Sequence, residues 1–369
     1  MASSSHSRSA GNAIVDSRTA LRRRSGGLAA GALFAFLTLG GPSASAAEPA
    51  TRALDTARLD AAFDKVVAEQ GLPLAGFVIV DDRGEVYRRV TTGFDPDAEI
   101  PIASASKWLT GVMVMTLVDE GKLSLDTTVG EVLPDYPAQV RAVTLRQLMS
   151  HTSGIDPGLA LRDRDATSLD DSARAVASAP LLARPGEAFA YGGSSMQLAA
   201  RMAEVACRCS WSELYERTLR APLGMTGGRW GHPLRPEATV PQVGGGLSLS
   251  LNDYVKFLTM VQRGGRSPRG ALLPTAAVAG MERVATGSAR FSDTPRVGLS
   301  GWRYGIGVWC ERIDADGRCP VVSSAGAFGV YPWVDRDAGL AGVFFTRAPL
   351  QRVLPAAIDL REIATRKGP

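Results

Sequence analysis

Ser104-Ala105-Ser106-Lys107, followed by Trp108-Leu109-Thr110-Gly111-Val112-Met113-Val114-Met115-Thr116-Leu117-Val118, is the stretch on which the reading of this chain turns. The run after Lys107 is apolar nearly all round, which predicts a helix buried on every side. Gly121 is a natural stop for it. Residues three apart on a helix share a face, one turn apart, so Ser104 and Lys107 are brought together. A serine hydroxyl beside an amine that can take its proton is a nucleophile for a carbonyl carbon. The tetrad alone carries little weight, because a helix cap beside an exposed lysine reads the same way. Its setting decides.

Upstream, Leu59, Phe63, Val66 and Val67 recur at helical spacing within residues 57–70, and Gly71 ends the pattern. Residues 75–80 are an apolar, β-prone run. Asp81-Asp82-Arg83-Gly84 is a turn, and residues 85–92 return as a second strand. From Ser106 to about residue 290 the periodicity is mostly helical, with capped starts at Val143-Thr144-Leu145-Arg146-Gln147 and Ser250-Leu251-Asn252-Asp253. Residues 304–310, 328–334 and 340–346 are β-rich, and 352–363 read as a closing helix. The expectation is an α/β (α+β) fold in which an antiparallel sheet, built from both chain ends, is flanked by helices. The sheet lobe takes residues of about 57–105 and 295–369, with a helical lobe of about 106–294 inserted between them. A site is expected in the cleft between lobes.

The first 46 residues read differently. Arg22, Arg23 and Arg24 precede an apolar stretch of 12 residues, 28–39, and Ala44-Ser45-Ala46 follows. This is the pattern of a secretory signal peptide cleaved after Ala46, an uncleaved anchor being the alternative. The stretch falls short of the roughly 20 residues that span a bilayer. The expected location is therefore exported, periplasmic or extracellular. The segment carries a net +4, as does the whole chain, so residues 47–369 are formally near neutral and hold no basic block. Nucleic-acid partners are not expected. Export permits disulfides. Cys310 and Cys319 flank what reads as a hairpin tip, which predicts a bridge between them, with buried free thiols as the alternative. Cys207 and Cys209 read as too close for an ordinary bridge and are left open. No histidine lies near either pair, so no metal site is expected.

Downstream of the tetrad stand further blocks in fixed order. They are Leu148-Met149-Ser150-His151-Thr152-Ser153-Gly154, Tyr191-Gly192-Gly193, Ala221-Pro222-Leu223-Gly224-Met225, Gly244-Gly245-Gly246-Leu247 and Ser324-Ala325-Gly326-Ala327. The ordered set, from about residue 57 to 347, resembles the serine β-lactamase-like superfamily. That group holds class C β-lactamases, D-Ala-D-Ala carboxypeptidases and family VIII esterases. The resemblance implies Ser104 as nucleophile, Lys107 as its base and Tyr191 as the proton shuttle to the leaving group. It implies an oxyanion hole from the backbone N–H groups of Ser104 and Ala327. It implies substrate contacts around Gly193, Ser324 and Gly326, a mainly structural His151, and no cofactor.

Two departures bear on substrate. The family's tyrosine block usually ends in asparagine, where Gly193 stands here. Its last motif usually opens with lysine or histidine, where Ser324 stands. Both changes tilt the expectation from β-lactams and peptides towards small esters or amides. The alternatives are a β-lactamase or D,D-carboxypeptidase, and a cell-wall or peptide-binding protein that kept the fold without the chemistry. His151 and His232 are the only histidines after residue 46, and no G-x-S-x-G elbow is present, which speaks against a Ser-His-Asp triad. Loops 156–185 and 226–243 are the expected seat of specificity.

Overall fold

A computed structural model describes residues 54–235, 237–293 and 301–366. The expected signal segment lies outside them. No helix among the described residues is long and apolar enough to cross a membrane.

The two ends of the described chain meet in one seven-stranded antiparallel sheet. Its spatial order is Arg303–Tyr304, Trp309–Arg312, Val321–Ser323, Tyr331–Asp335, Leu340–Thr346, Ala75–Val80 and Glu85–Val90. Ala75–Val80 pairs with Leu340–Thr346, with Ala75 opposite Thr346 and Val80 opposite Ala341. All six residues of Ala75–Val80 are buried, which explains its unbroken apolar sequence: a strand covered on both faces needs no polar alternation.

Successive side chains point to opposite faces of the sheet. Phe77, Ile79 and Phe344 face one way, onto Leu59 and Phe63 of the helix Thr56–Glu69 and Val353 and Leu360 of the helix Leu350–Thr365. Val78, Val80, Val343 and Phe345 face the other way, into a larger core that includes Trp108 and Phe257. That core belongs to the helices Ser106–Asp119, Ser194–Cys207 and Leu251–Gln262. Truncating Phe344, which is fully buried, to alanine would cost about 3–5 kcal/mol.

The helix Ser106–Asp119 is the central post of the molecule. Every residue from Ser106 to Leu117 is buried, as its all-round apolar sequence requires. Local signals behave as read: Thr144 and Gln147 form a reciprocal capping box, and the Ser250 hydroxyl caps Leu251–Gln262 by accepting from the Asp253 N–H at 3.1 Å.

One expectation is corrected. Residues 304–310 are not a single strand but two, Arg303–Tyr304 and Trp309–Arg312, separated by a turn. Gly307 has φ +78° there, and a Cβ on it would lie 2.7 Å from the Lys107 carbonyl oxygen. The chain breaks its extended course because it must press backbone to backbone against the central helix.

Cys310 and Cys319 are joined by a disulfide, and so are Cys207 and Cys209, the pair the sequence left open. No cluster of three or more potential metal-ligating side chains occurs among the described residues.

Candidate active site

Ser104 lies in a single turn of 3-10 helix, Ala103–Ala105, that leads into the central helix. The turn is held under strain. Ala103 has φ +47°, a left-handed conformation that a residue with a Cβ adopts at a cost. Three hydroxyl groups pin its three carbonyls. Ser106 Oγ donates to Ala103 O at 2.6 Å, Ser324 Oγ to Ser104 O at 2.9 Å and Tyr254 Oη to Ala105 O at 2.8 Å. Gly326 completes the mount. A Cβ there would sit 2.1 Å from the Ile102 carbonyl oxygen, so only glycine lets this strand end pass the turn.

Lys107 Nζ donates to Ser104 Oγ at 3.1 Å, as the three-residue spacing requires. It also donates to the Gly244 carbonyl oxygen, a contact that no local sequence pattern announces. Lys107 is 2% exposed, whereas Ser104 is half-buried at the cleft floor. Burial lowers the lysine pKa to about 7, because the ammonium loses its hydration and no carboxylate stands beside it to offset the loss. A substantial share of the amine is therefore neutral at neutral pH and able to accept a proton.

Tyr191 stands over this pair. Its ring centroid is 4.7 Å from Lys107 Nζ, and its hydroxyl interacts with Ser104 and Trp309. The dense surroundings push its pKa up to about 12, while those two hydrogen-bonding partners pull the other way. At neutral pH it is a phenol, a group that can pass a proton on. His151 supports it from below, with ring centroids 4.8 Å apart, and packs at 4.7 Å against Tyr304 on another side. His151 is buried and has φ +59°. Burial, reinforced by the nearby Lys107 charge, holds its pKa well below the usual histidine value. Neither ring nitrogen has a partner among the described residues. It is a neutral wedge, in keeping with a structural part.

The backbone N–H groups of Ser104 and Ala327 have no acceptor among the described residues, and both residues line the cleft. An unpaired pair of this kind can receive the oxygen of a tetrahedral intermediate. Gly193 also lines the cleft, and a Cβ on it would meet nothing within 4 Å. Its neighbour Gly192 has no such freedom, since a Cβ there would lie 2.2 Å from the Pro157 carbonyl oxygen. Ser324 departs from its expected place. It is 1% exposed, and its hydroxyl is spent on the Ser104 carbonyl, so it props the Ser104 turn from behind and offers no proton to the cleft. Gly326 likewise acts through backbone approach and does not line the cavity.

The rest of the lining comes from loops. Pro157 comes from one, with Leu161 on the helical turn Leu159–Arg162 that follows it, and Pro233, Leu234 and Gln242 from another; Phe328 adjoins Ala327. The sequence located both loops, but not which residues turn inward. Trp309, Gly244 and Tyr254 were missed as site residues. Each acts through a contact with a distant part of the chain.

This fold and a serine–lysine–tyrosine cluster at the head of a buried helix define the β-lactamase and transpeptidase-like class. The model of the β-lactamase family matches residues 59–364, and the chain belongs to that family. Among relatives, esterase EstB of Burkholderia gladioli is 30% identical over 218 residues, covering 50% of this chain and 54% of that protein. Penicillin-binding protein 4 of Amycolatopsis lactamdurans is 31% identical over 183 residues, covering 46% and 48%. The chain thus spans about half the length of the curated relatives it matches. A candidate β-lactamase from Bacteroides dorei DSM 17855 has a similar structure, with a TM-score of 0.77, 30% identity, and coverage of 85% of this chain and 99% of that one. EstCE1, a hydrolase with promiscuous acyltransferase activity, shares the fold at a TM-score of 0.69 and 17% identity, covering 84% and 98%.

Proposed function

We propose that this chain is an exported serine hydrolase that cleaves small esters or amides through an acyl-enzyme on Ser104. The observation that carries the reading is the 3.1 Å contact between the Ser104 hydroxyl and an amine whose pKa burial lowers to about 7. Lys107 takes the Ser104 proton as Oγ attacks the substrate carbonyl carbon. The Ser104 and Ala327 N–H groups receive the oxyanion. The proton on Lys107 passes by way of Tyr191 to the departing oxygen or nitrogen. Water then attacks the acyl-enzyme by the reverse proton path and frees Ser104. Every group needed belongs to this chain, and no cofactor enters any step.

Export is supported by the arginine, apolar and Ala44-Ser45-Ala46 pattern of the first 46 residues. Ester or amide substrates are favoured over β-lactams and D,D-peptides by two observations. Ser324 supplies no cation for a substrate carboxylate, and Gly193 supplies no side-chain amide. The penicillin-binding relative keeps the second reading in view. The test is a panel of nitrophenyl esters, nitroanilides and a chromogenic cephalosporin, run on wild type and Ser104→Ala. Ester turnover that Ser104→Ala abolishes is expected. Strong cephalosporin turnover without esterase activity would reverse the order of the two readings. A chain that turns over nothing and takes no covalent label would leave the binding-protein reading standing.

A further inference from the structure

We propose that the cleft selects substrates with an uncharged, apolar acyl group, and that Leu161 and Leu234 are the residues that grip it. The inference rests on the serine-hydrolase reading and adds to it a substrate class and two specificity residues.

The cavity beside Ser104 has a volume of about 360 Å³. Apart from Lys107 and Tyr191, its lining holds no ionisable side chain among the described residues. Lys107 is already committed to Ser104 and to the Gly244 carbonyl. Among the described residues, nothing in the lining can neutralise a substrate carboxylate or pair with a substrate ammonium. A charged group entering here would lose hydration without compensation. Pro157, Leu161, Leu234 and Phe328 present carbon instead.

Leu161 and Leu234 stand out further. They are 45% and 62% exposed, two of only six large hydrophobic side chains exposed among the described residues. Single exposed leucines are ordinary. Two from separate segments, one a helical turn and one a loop, lining one cavity beside Ser104, form an apolar surface waiting for cover.

The segments that carry them are tied together. His232 Nε2 lies 3.2 Å from the Leu161 carbonyl oxygen, and His232 Nδ1 accepts the Leu234 N–H at 3.1 Å. Both bonds coexist only in the neutral imidazole that carries its proton on Nε2. Partial burial, the first influence on His232, lowers its pKa and favours that form; the Leu161 carbonyl pulls it up, Arg235 lowers it further and Glu237 raises it. Arg235 adds a second tie by donating to the Asp163 carbonyl oxygen. One imidazole thus sets the backbone at both leucines, so the grip is preorganised before substrate arrives.

The test is kcat/KM of the full chain on nitrophenyl esters from acetate to decanoate, with nitrophenyl hemisuccinate beside the pentanoate. Wild type is expected to gain roughly threefold per added methylene until the cavity is full, as burial of CH₂ groups requires. The hemisuccinate is expected at least about 50-fold below the pentanoate. Leu161→Ala and Leu234→Ala should each lower the octanoate-to-acetate ratio by roughly fivefold. Leu234→Arg should narrow the hemisuccinate penalty by adding the cation the cleft lacks. A flat chain-length series, a preferred hemisuccinate, or leucine variants with the wild-type ratio would overturn the proposal. If esters are turned over and Ser104 is labelled by a fluorophosphonate, such a result removes the acyl grip alone. If nothing is turned over and Ser104 takes no label, the hydrolase reading falls and this one with it.

Discussion

The turn that carries Ser104 and the loops that carry Leu161 and Leu234 are built on opposite plans. The turn is strained at Ala103, pinned by three hydroxyl groups and pressed by the glycine backbone at Gly326. It leads directly into the helix Ser106–Asp119, buried from Ser106 to Leu117. The loops are half-exposed and joined to each other mainly through His232 and Arg235. Geometry that must hold to a fraction of an ångström is mounted on the core, where packing forbids drift. Surfaces that only need to be apolar and roughly placed are left on loops, where substitutions are cheap. The difference teaches where to look for each property: reaction chemistry in the pinned turn, substrate choice in the tied loops.

The comparison can be broken first at Lys107. Lys107→Met removes the proposed base and is expected to lower kcat/KM by at least about 1000-fold. The same variant should be the more thermostable protein at low pH. In wild type the group is held near 7 in the fold against 10.5 ordinarily. The unfolded chain therefore binds more protons across that window, and wild-type stability rises with pH through it. The advantage of Lys107→Met in Tm should be largest below about pH 7 and shrink towards pH 10. Wild-type kcat/KM should fall tenfold per unit as pH drops below about 7, since only the neutral amine accepts the proton. An acid limb centred near pH 4 would point to a carboxylate base instead.

A pair of glycines sharpens the contrast. Gly326→Ala must displace the Ser104 turn, because its Cβ would lie 2.1 Å from the Ile102 carbonyl oxygen. A loss of roughly 100-fold in kcat is expected, together with a lowered Tm. Gly193→Asn meets open space and has ordinary backbone angles, φ −96° and ψ −26°. It should fold with a Tm within about 2 °C of wild type and shift preference towards amides, measured as the anilide-to-ester ratio of kcat/KM. Equal damage from both substitutions would contradict the steric account.

Ser324→Ala tests the smallest effect. It deletes one of the three pins and leaves the Ser104 carbonyl short of a donor, which costs about 1 kcal/mol and roughly tenfold in kcat. Were Ser324 a substrate contact, KM would change instead.

What was legible in the sequence followed from range. The serine–lysine pair is written in a three-residue spacing, and helix periodicity fixes it without knowledge of the rest. The sheet was legible because strands buried on both faces are apolar runs, and residues 75–80 and 340–346 are such runs. Two of the three pins, and the contact from Lys107 to Gly244, were not legible. Ser324 reaches Ser104 across 220 residues, Tyr254 reaches Ala105 across 149, and Gly244 reaches Lys107 across 137. Only the closed topology decides those meetings. Ser324 shows the limit clearly: its type and block were readable, but the direction of its hydroxyl depends on a turn 220 residues earlier in the chain. The break of residues 304–310 into two strands has the same origin, a demand made by the central helix that the strand's own composition does not express.

The most direct test of the central claim is peptide mapping by mass spectrometry after fluorophosphonate treatment of the native chain at pH 8. A single adduct on Ser104, formed at a rate that falls tenfold per pH unit below about 7 and is lost in Lys107→Met, is the result predicted. An unlabelled Ser104, or labelling whose rate is the same at pH 5 and pH 8, would contradict the account.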